Sequence, residues 1–252
     1  MAISKAQVRY IRSLHSKKFR QMYAKFLVEG DKAVRELIHS PFKIDAIYAH
    51  AEWIAQNDAP ERLCHEVSEG ELMQISTHDS PNQVLAVAYI PANEINEISG
   101  DQLYIACDTL NDPGNAGTII RVADWFGIST VIFSENSVEV YNPKVVSAAK
   151  GSLFRVRVIY ADLPGFFQKN KSLPVYGAAM DGESIYKAGL PKAGILLIGN
   201  EANGISEALY QYVTHKISIP PFGDAESLNA GVATGIIVSE WRRQMQGSIK
   251  AV

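Results

Sequence analysis

Apolar and polar positions change rhythm several times along the chain. Ser4 followed by Gln7 has the pattern of a capping box, and Val8, Ile11 and Leu14 recur at helical spacing. A helix is therefore predicted to begin here, with Arg9, Arg12 and Lys17 on its exposed side. FLVE at 26–29 reads as a short strand, 31–39 as a helix, IDAIYA at 44–49 as a strand, 69–75 as a helix opened by Ser68 with Glu71, and QVLAVAYI at 83–90 as a strand. Together these form a small α/β unit of about 90 residues. The segment PANEINEISGDQ that follows is polar, holds Pro91, Ser99 and Gly100, and sustains no apolar period, so it reads as a linker. Beyond it, short apolar runs at 103–107, 130–134, 156–160, 174–179, 195–198 and 216–219 alternate with helical patterns at 116–126, 142–150, 162–169, 205–212 and 228–245. That alternation predicts a mostly parallel sheet covered by helices. The expected division is a first domain over 1–92, a linker over 93–101 and a second domain over 102–252.

Composition narrows the class. A chain of 252 residues allows one or two domains at roughly 100 to 200 residues each. With 47% hydrophobic and 20% charged residues, collagen-like, low-complexity and disordered readings are excluded. The first stretch, MAISKAQVRYIRSLHSKKFRQ, is charged every few residues without an apolar core, and nowhere do about 18 apolar residues run uninterrupted. Neither export nor membrane insertion is expected, and a cytoplasmic address follows. Cys64 and Cys107 form no CxxC and no Cys/His cluster, so two reduced thiols and no metal site are expected. The net charge of −3 conceals an asymmetry: residues 1–25 contain Lys5, Arg9, Arg12, Lys17, Lys18, Arg20 and Lys25 and no acidic residue. Interleaved with Tyr10, His15, Phe19 and Tyr23, these cations suit phosphate neutralisation and base stacking, and they equally suit a solvated basic helix face.

In open α/β sheets ligands bind beyond the carboxyl ends of the strands, so loops that follow strands are where chemistry is sought. Three stand out. DTLNDPGNAGTIIRV, from Asp108, leads through Asp112, Gly114, Asn115 and Gly117 into a helix carrying Arg121; Asn115 is placed to cap that helix. The spacing matches neither GxGxxG nor GxxxxGK[ST], so the usual nucleotide signatures are missing. IGNEANGI ends an apolar strand in Gly199, Asn200 and Glu201. SIPPFGDAESLNAG places Ile219, Pro220, Ser227, Leu228 and Asn229 before the last long helix, where Ser227 or Asn229 also suits an N-cap. Each loop alone also reads as ordinary capping, but three polar, glycine-bearing loops after strands of one sheet favour a composite site.

At these residues the chain resembles the SpoU (TrmH-type) RNA 2′-O-ribose methyltransferases of the SPOUT class. The first motif, DPGNxGxxxR, stands at Asp112–Arg121 with Asp108 before it, the second, GNExxGxS, at Gly199–Ser206, and the third, IPxxGxxESLN, at Ile219–Asn229, in the family's order. KKFRQMYAKFLVEGDKAVREL, from Lys17, is similar to the substrate-binding domain that precedes the catalytic domain in many members. The resemblance implies an N-terminal α/β RNA-binding domain joined to a C-terminal α/β-knot domain, S-adenosyl-L-methionine as cofactor, and a homodimer. General topology rules would have led to an ordinary doubly wound sheet, since knots are nearly absent from folds.

Carried over by motif position, the resemblance implies that Gly199, Ile219 and Leu228, with Asn200 and Pro220, hold the cofactor, and that Arg121 is central to catalysis with Asn115, Glu201, Ser227 and Asn229 around it. A guanidinium is a poor proton acceptor, so Arg121 is expected to orient phosphate and hydroxyl and to stabilise oxyanion charge, leaving the proton acceptor open. No metal is required. Arg9, Arg12, Lys17, Lys18 and Arg20 are expected to contact RNA, ribosomal in preference to transfer RNA by analogy of the first domain. Departures from the family pattern occur at Ser147 and Ala149, where a more polar pair is usual, and at Trp125, which is expected to pack in the core. The alternatives are a transfer-RNA ribose methyltransferase, a non-catalytic RNA-binding or assembly factor on the same fold, and, disfavoured by the basic aromatic start, a flavodoxin-like nucleotide binder.

Overall fold

The computed structural model describes residues 3–78, 82–92 and 98–245. Residues 93–97 of the expected linker lie outside the described residues. The chain forms two compact units, one made of residues 1–92 together with 139–155, the other of 93–138 and 156–252.

In the first unit, helix α1 (Lys5–Ser13) opens with the expected capping box: Ser4 Oγ accepts from the Gln7 N–H, and the Gln7 side chain accepts from the Ser4 N–H at 2.9 Å. Its Ile11 and the following Leu14 are fully buried. A separate helix, α2 (Lys17–Tyr23), follows and ends at Ala24 in the left-handed region, which apolar spacing alone did not mark. The chain continues through β1 (Lys25–Glu29), α3 (Asp31–Ile38), β2 (Ile44–Ala49), α4 (Ala51–Gln56), β3 (Cys64–Glu66), α5 (Glu69–Ile75) and β4 (Val84–Tyr89). The sheet order is β1-β4-β2-β3, with β4 antiparallel to both β1 and β2, and β2 parallel to β3. Ile11, Leu14, Leu27, Tyr48, Leu72 and Leu85 share one core. Sequence pattern missed α4 and β3, both too short to carry a period. Trp53 anchors α4 instead, buried with its indole N–H donated to Asp31 at 2.7 Å.

The second unit begins with β5 (Leu103–Cys107), α6 (Pro113–Trp125) and β6 (Thr130–Ser134). Residues 139–155, with α7 (Pro143–Ala149), then complete the first unit, where Tyr141 packs on Phe26 and Phe154 on Phe42, ring centroids 4.7 and 5.3 Å apart. The second unit resumes with β7 (Arg157–Ala161), α8 (Leu163–Lys169), β8 (Val175–Ser184), β9 (Gly194–Ile198), α9 (Glu207–Tyr210), β10 (His215–Ser218) and α10 (Ala230–Met245). Its six strands lie in the order β10-β8-β9-β5-β6-β7, and every neighbouring pair is parallel, as the alternating pattern predicted. The central β5 and β9 are buried at every position, which is why they read as unbroken apolar runs. Pairing Cys107 with Ile198 brings the ends of β5 and β9 level, and the Asp108 N–H continues the ladder to the Ile198 carbonyl at 2.8 Å. The loops after the two strands therefore start side by side. Helix α10 packs on α6 closely enough that a Cβ on Gly231 would stand 2.7 Å from a Thr118 methyl. None of the described helices is long and apolar enough to cross a membrane.

Two expectations are corrected. Trp125 does not pack in the core: it is 84% exposed, because Ala116, Ile119, Ile120 and Ala123 supply the buried face of α6, while in the second unit Trp241 of α10 is buried, its indole N–H bonded to the Pro191 carbonyl. Arg20 is no phosphate ligand: it is 2% exposed, its Nε and Nη2 donate to Glu139 at 3.1 and 2.5 Å, and its Nη1 donates to the Leu14 and His15 carbonyls, both at 2.8 Å. The guanidinium is consumed inside the first unit, where it ties the α1–α2 elbow to residue 139. Removing one partner of such a pair leaves a buried charge. Glu139→Ala is expected to destabilise the protein by about 3 kcal/mol, and Arg20→Met with Glu139→Leu to recover most of the loss. Urea unfolding of the three proteins checks this; no loss for Glu139→Ala would mean that the carbonyl bonds alone satisfy Arg20.

Candidate active site

The site is assembled from the ends of β5, β9 and β10. Asp112, rather than Asn115, is the N-cap of α6, its carboxylate accepting the Asn115 N–H at 2.7 Å with Pro113 at the first helical position. This frees the Asn115 side chain, which is buried. Its Nδ2 donates to Glu201 at 3.0 Å, and its Oδ1 accepts from Asn229 Nδ2 at 2.6 Å. Asn229 also caps α10, its Oδ1 accepting the N–H groups of Gly231 and Val232 at 3.0 and 3.2 Å. One polar chain, Asn229 to Asn115 to Glu201, thus joins the three loops.

The loop after β9 is a tight closed turn. Asn200 and Gly204 exchange backbone hydrogen bonds of 2.8 and 2.9 Å, and Asn200 Oδ1 accepts from the Ala202 and Asn203 N–H groups. Its Nδ2 donates to the Thr109 carbonyl at 2.7 Å, fastening this turn to the loop after β5. Position 199 must be glycine, since a Cβ there would stand 2.2 Å from the Gly204 carbonyl carbon. Asp108 contributes from below, accepting the Ser206 N–H at 2.7 Å, and Thr109 beside it adopts a left-handed conformation.

These loops wall a cavity of about 980 Å³. Nine of the ten residues expected at the catalytic and cofactor sites line it: Asn115, Gly199, Asn200, Glu201, Ile219, Pro220, Ser227, Leu228 and Asn229. Ser227 is exposed and has no hydrogen-bond partner among the described residues, so its hydroxyl is available to a ligand. Arg121 is the exception. It lies further along α6, exposed, outside the cavity lining and without a side-chain partner among the described residues. Sequence reasoning missed the wall supplied by Ala178, Met180 and Asp181 of β8, and it missed Phe222, which is 99% exposed. Nothing in the local pattern of β8 distinguishes those positions; β9 and β10 pairing with β8 puts them there.

Comparison with known proteins bears on both units. Residues 102–239 match the model of the SpoU rRNA Methylase family, and residues 5–86 match the MRM3-like substrate binding domain. This chain belongs to the SpoU rRNA methylase family. The 23S rRNA (guanosine(2553)-2′-O)-methyltransferase RlmP of Bacillus subtilis is 30% identical over 236 residues, covering 92% of this chain and 94% of the relative. Among solved structures, a TrmH-family protein of Porphyromonas gingivalis matches with 36% identity and a TM-score of 0.87 over 96% of this chain and 99% of that one. The AdoMet-bound rRNA methyltransferase of Sinorhizobium meliloti matches with 29% identity and a TM-score of 0.87, covering 97% and 98%. The family read from the three motifs is thus the family matched, and the fold is that of the SpoU/TrmH members of the SPOUT class.

Within this SpoU site, electrostatics assign Glu201 its part. Partial burial opposes its ionisation, but the Asn115 amide and the backbone N–H groups of Glu201 itself, Asp112 and Asn111 override that and hold its pKa below the ordinary 4.5. An anion satisfied by several donors is a weak base, so Glu201 holds loops together rather than collecting protons. Because its pKa is depressed in the folded state, its contribution is present above the ordinary carboxylate pKa and is lost as the pH falls through the folded value. Carbon-detected NMR titration is expected to give Glu201 a midpoint below 4.5 that rises in Asn115→Ala. A midpoint at or above 4.5 in the unmodified protein would remove the anchoring role.

Proposed function

We propose that this SpoU-family protein is an S-adenosylmethionine-dependent methyltransferase acting on a ribose 2′-OH of structured RNA, ribosomal rather than transfer RNA. The observation that carries the reading is the hydrogen-bond chain from Asn229 through Asn115 to Glu201, which assembles three separate family motifs into the wall of one cavity. The cavity suits such a cofactor, because Ile198, Ile219, Pro220 and Leu228 give it apolar surface while Asn200, Ser227 and the backbone around Gly199 offer a few polar contacts. When bound, the cofactor supplies a methyl group on a positively charged sulfur, a good leaving group.

The protein's own work is then alignment and charge management. Gly199, Ile219 and Leu228 hold the cofactor largely through backbone groups, with Asn200 and Pro220 beside them. Asn115, Glu201 and Asn229 fix the loops, and the free Ser227 hydroxyl meets the ligand. Arg121 orients the target phosphate and hydroxyl and stabilises developing negative charge with its planar guanidinium. The first unit recruits RNA and the second carries catalysis, and Arg9, Arg12, Lys17 and Lys18 of the first contact RNA. The ribosomal preference follows from a relative named for 23S rRNA that corresponds along nearly the whole chain, first domain included.

The protein acts as a homodimer in the cytoplasm. A second copy accounts for apolar side chains left open on the α6–α10 pair, Trp125 at 84% and Val232 at 49% exposure. Trp125→Glu is expected to convert the dimer to a monomer by light scattering; an unchanged dimer would move the interface elsewhere. Incubation with methyl-labelled S-adenosylmethionine and separated ribosomal and transfer RNA, from a strain lacking the gene, is expected to label the ribosomal fraction in alkali-resistant dinucleotides. Arg121→Ala and Arg121→Lys are each expected to lower the rate at least about 100-fold. Label in transfer RNA alone would overturn the substrate class, no label in either fraction with cofactor bound would overturn the enzyme reading, and full activity of Arg121→Lys would overturn the role of the guanidinium.

A further inference from the structure

Helices α1 and α2 carry an aromatic arrangement that core packing explains only at its inner end, where Tyr10 packs against the core of the first unit. Phe19 and Tyr23, one turn apart on α2, have ring centroids 6.2 Å apart and planes within 17° of parallel, and Tyr10 of α1 meets Tyr23 edge-on at 5.2 Å. Such aromatic groups ordinarily bury their surface. Here Tyr23 remains 40% exposed, and Met22 beside it 69% exposed. Cations frame the rings. Lys18 Nζ lies 5.8 Å from the Phe19 centroid and Lys25 Nζ 5.6 Å from the Tyr10 centroid, while Lys5, Arg9 and Arg12 form a separate exposed stripe of α1, about 130° around the helix from Tyr10. None of Arg9, Arg12, Lys17 or Lys18 has an ion-pair partner among the described residues, and the first acidic residue in the chain is Glu29. Among the described residues, the carboxylates that pair with this basic segment are Glu139, bound to the buried Arg20, and Asp45, committed to Lys25 at 2.7 Å and to the Tyr89 hydroxyl at 2.8 Å.

The occupant that this chemistry fits is a polyanion with accessible π faces. An RNA duplex offers phosphates but keeps its bases stacked; a splayed single strand offers both, and an aromatic surface gains only from an unstacked base. We propose that Tyr23, supported by Phe19 and Tyr10 and flanked by Lys18, is a stacking platform for an unpaired base of the substrate RNA. The inference rests on the RNA-modifying reading above and deepens it, since it assigns the first domain a preference for loops or single strands. It also gives Arg20 a purpose. Lying between Phe19 and Tyr23 in sequence and bonded underneath to the Leu14 and His15 carbonyls, it is a positioning residue that fixes the helix on which the platform stands.

The test uses the full chain and two probes: a short single-stranded oligoribonucleotide carrying 2-aminopurine, and the same strand fully paired. The single strand is expected to bind more tightly with 2-aminopurine fluorescence quenched. Tyr23→Ala and Tyr23→Leu are expected to weaken it at least about fivefold while Tyr23→Phe retains it, with duplex and S-adenosylmethionine binding unchanged in all three. Tyr23→Leu keeps apolar contact with Phe19 and Tyr10, so it separates loss of stacking from loss of folding. Equal binding of single strand and duplex, or single-strand affinity unchanged in Tyr23→Leu, would overturn the platform while leaving the enzyme reading intact. Failure of the unmodified protein to bind either probe, with S-adenosylmethionine still bound, would overturn RNA recruitment itself.

Discussion

The parallel pairing of β5 with β9 is the contact on which the site depends. The strands are distant in sequence, yet they lie side by side in the middle of the sheet, buried at every position. Each large apolar side chain removed from water there contributes about 1.5–3 kcal/mol, so the pairing is set by the bulk of the core and not by the polar groups at its end. Its register makes Cys107 level with Ile198. From that point the two chains leave the sheet together, and the Asn200–Thr109, Asp108–Ser206 and Asn115–Glu201 contacts join the loops that follow them.

What those residues do is largely structural chemistry in service of placement. Asp112 relieves Asn115 of capping duty, Asn115 bridges Glu201 and Asn229, and Asn200 knits its own turn while holding Thr109. Glycine at 199 is demanded by a backbone approach and not by flexibility. The result is a concave wall of backbone and amide groups, stiff because its donors and acceptors satisfy one another, in which Ser227 remains uncommitted. A wall of this kind suits alignment better than proton traffic, which agrees with the weak basicity of Glu201.

In the first unit the same economy operates with charge. Seven basic residues crowd the first 25 positions, but they are not equivalent. Arg20 is withdrawn into a buried pair with Glu139, Lys25 is neutralised by Asp45, and the rest stay in solvent. The pairing of Arg20 reaches across 119 positions to a segment that chain order alone would assign to the other unit.

The nine residues lining one cavity were named through the resemblance to the SpoU family; by itself the sequence determined the elements with clear periods, both α/β units and the parallel character of the second sheet. It did so because apolar alternation, caps and glycine-bearing loops after strands are local consequences of local chemistry. Periodicity could not have said that β9 lies between β5 and β8, that residues 139–155 complete the first unit, or that β8 supplies a wall of the cavity. Nor could it tell that Trp125 faces solvent while Trp241 is enclosed, or that Arg20 is consumed by Glu139. Each of these depends on which distant surface a side chain meets. That choice is made only when the whole core is buried at once, because a tryptophan or an arginine has the same composition and nearly the same neighbours in sequence whether it is inside or out.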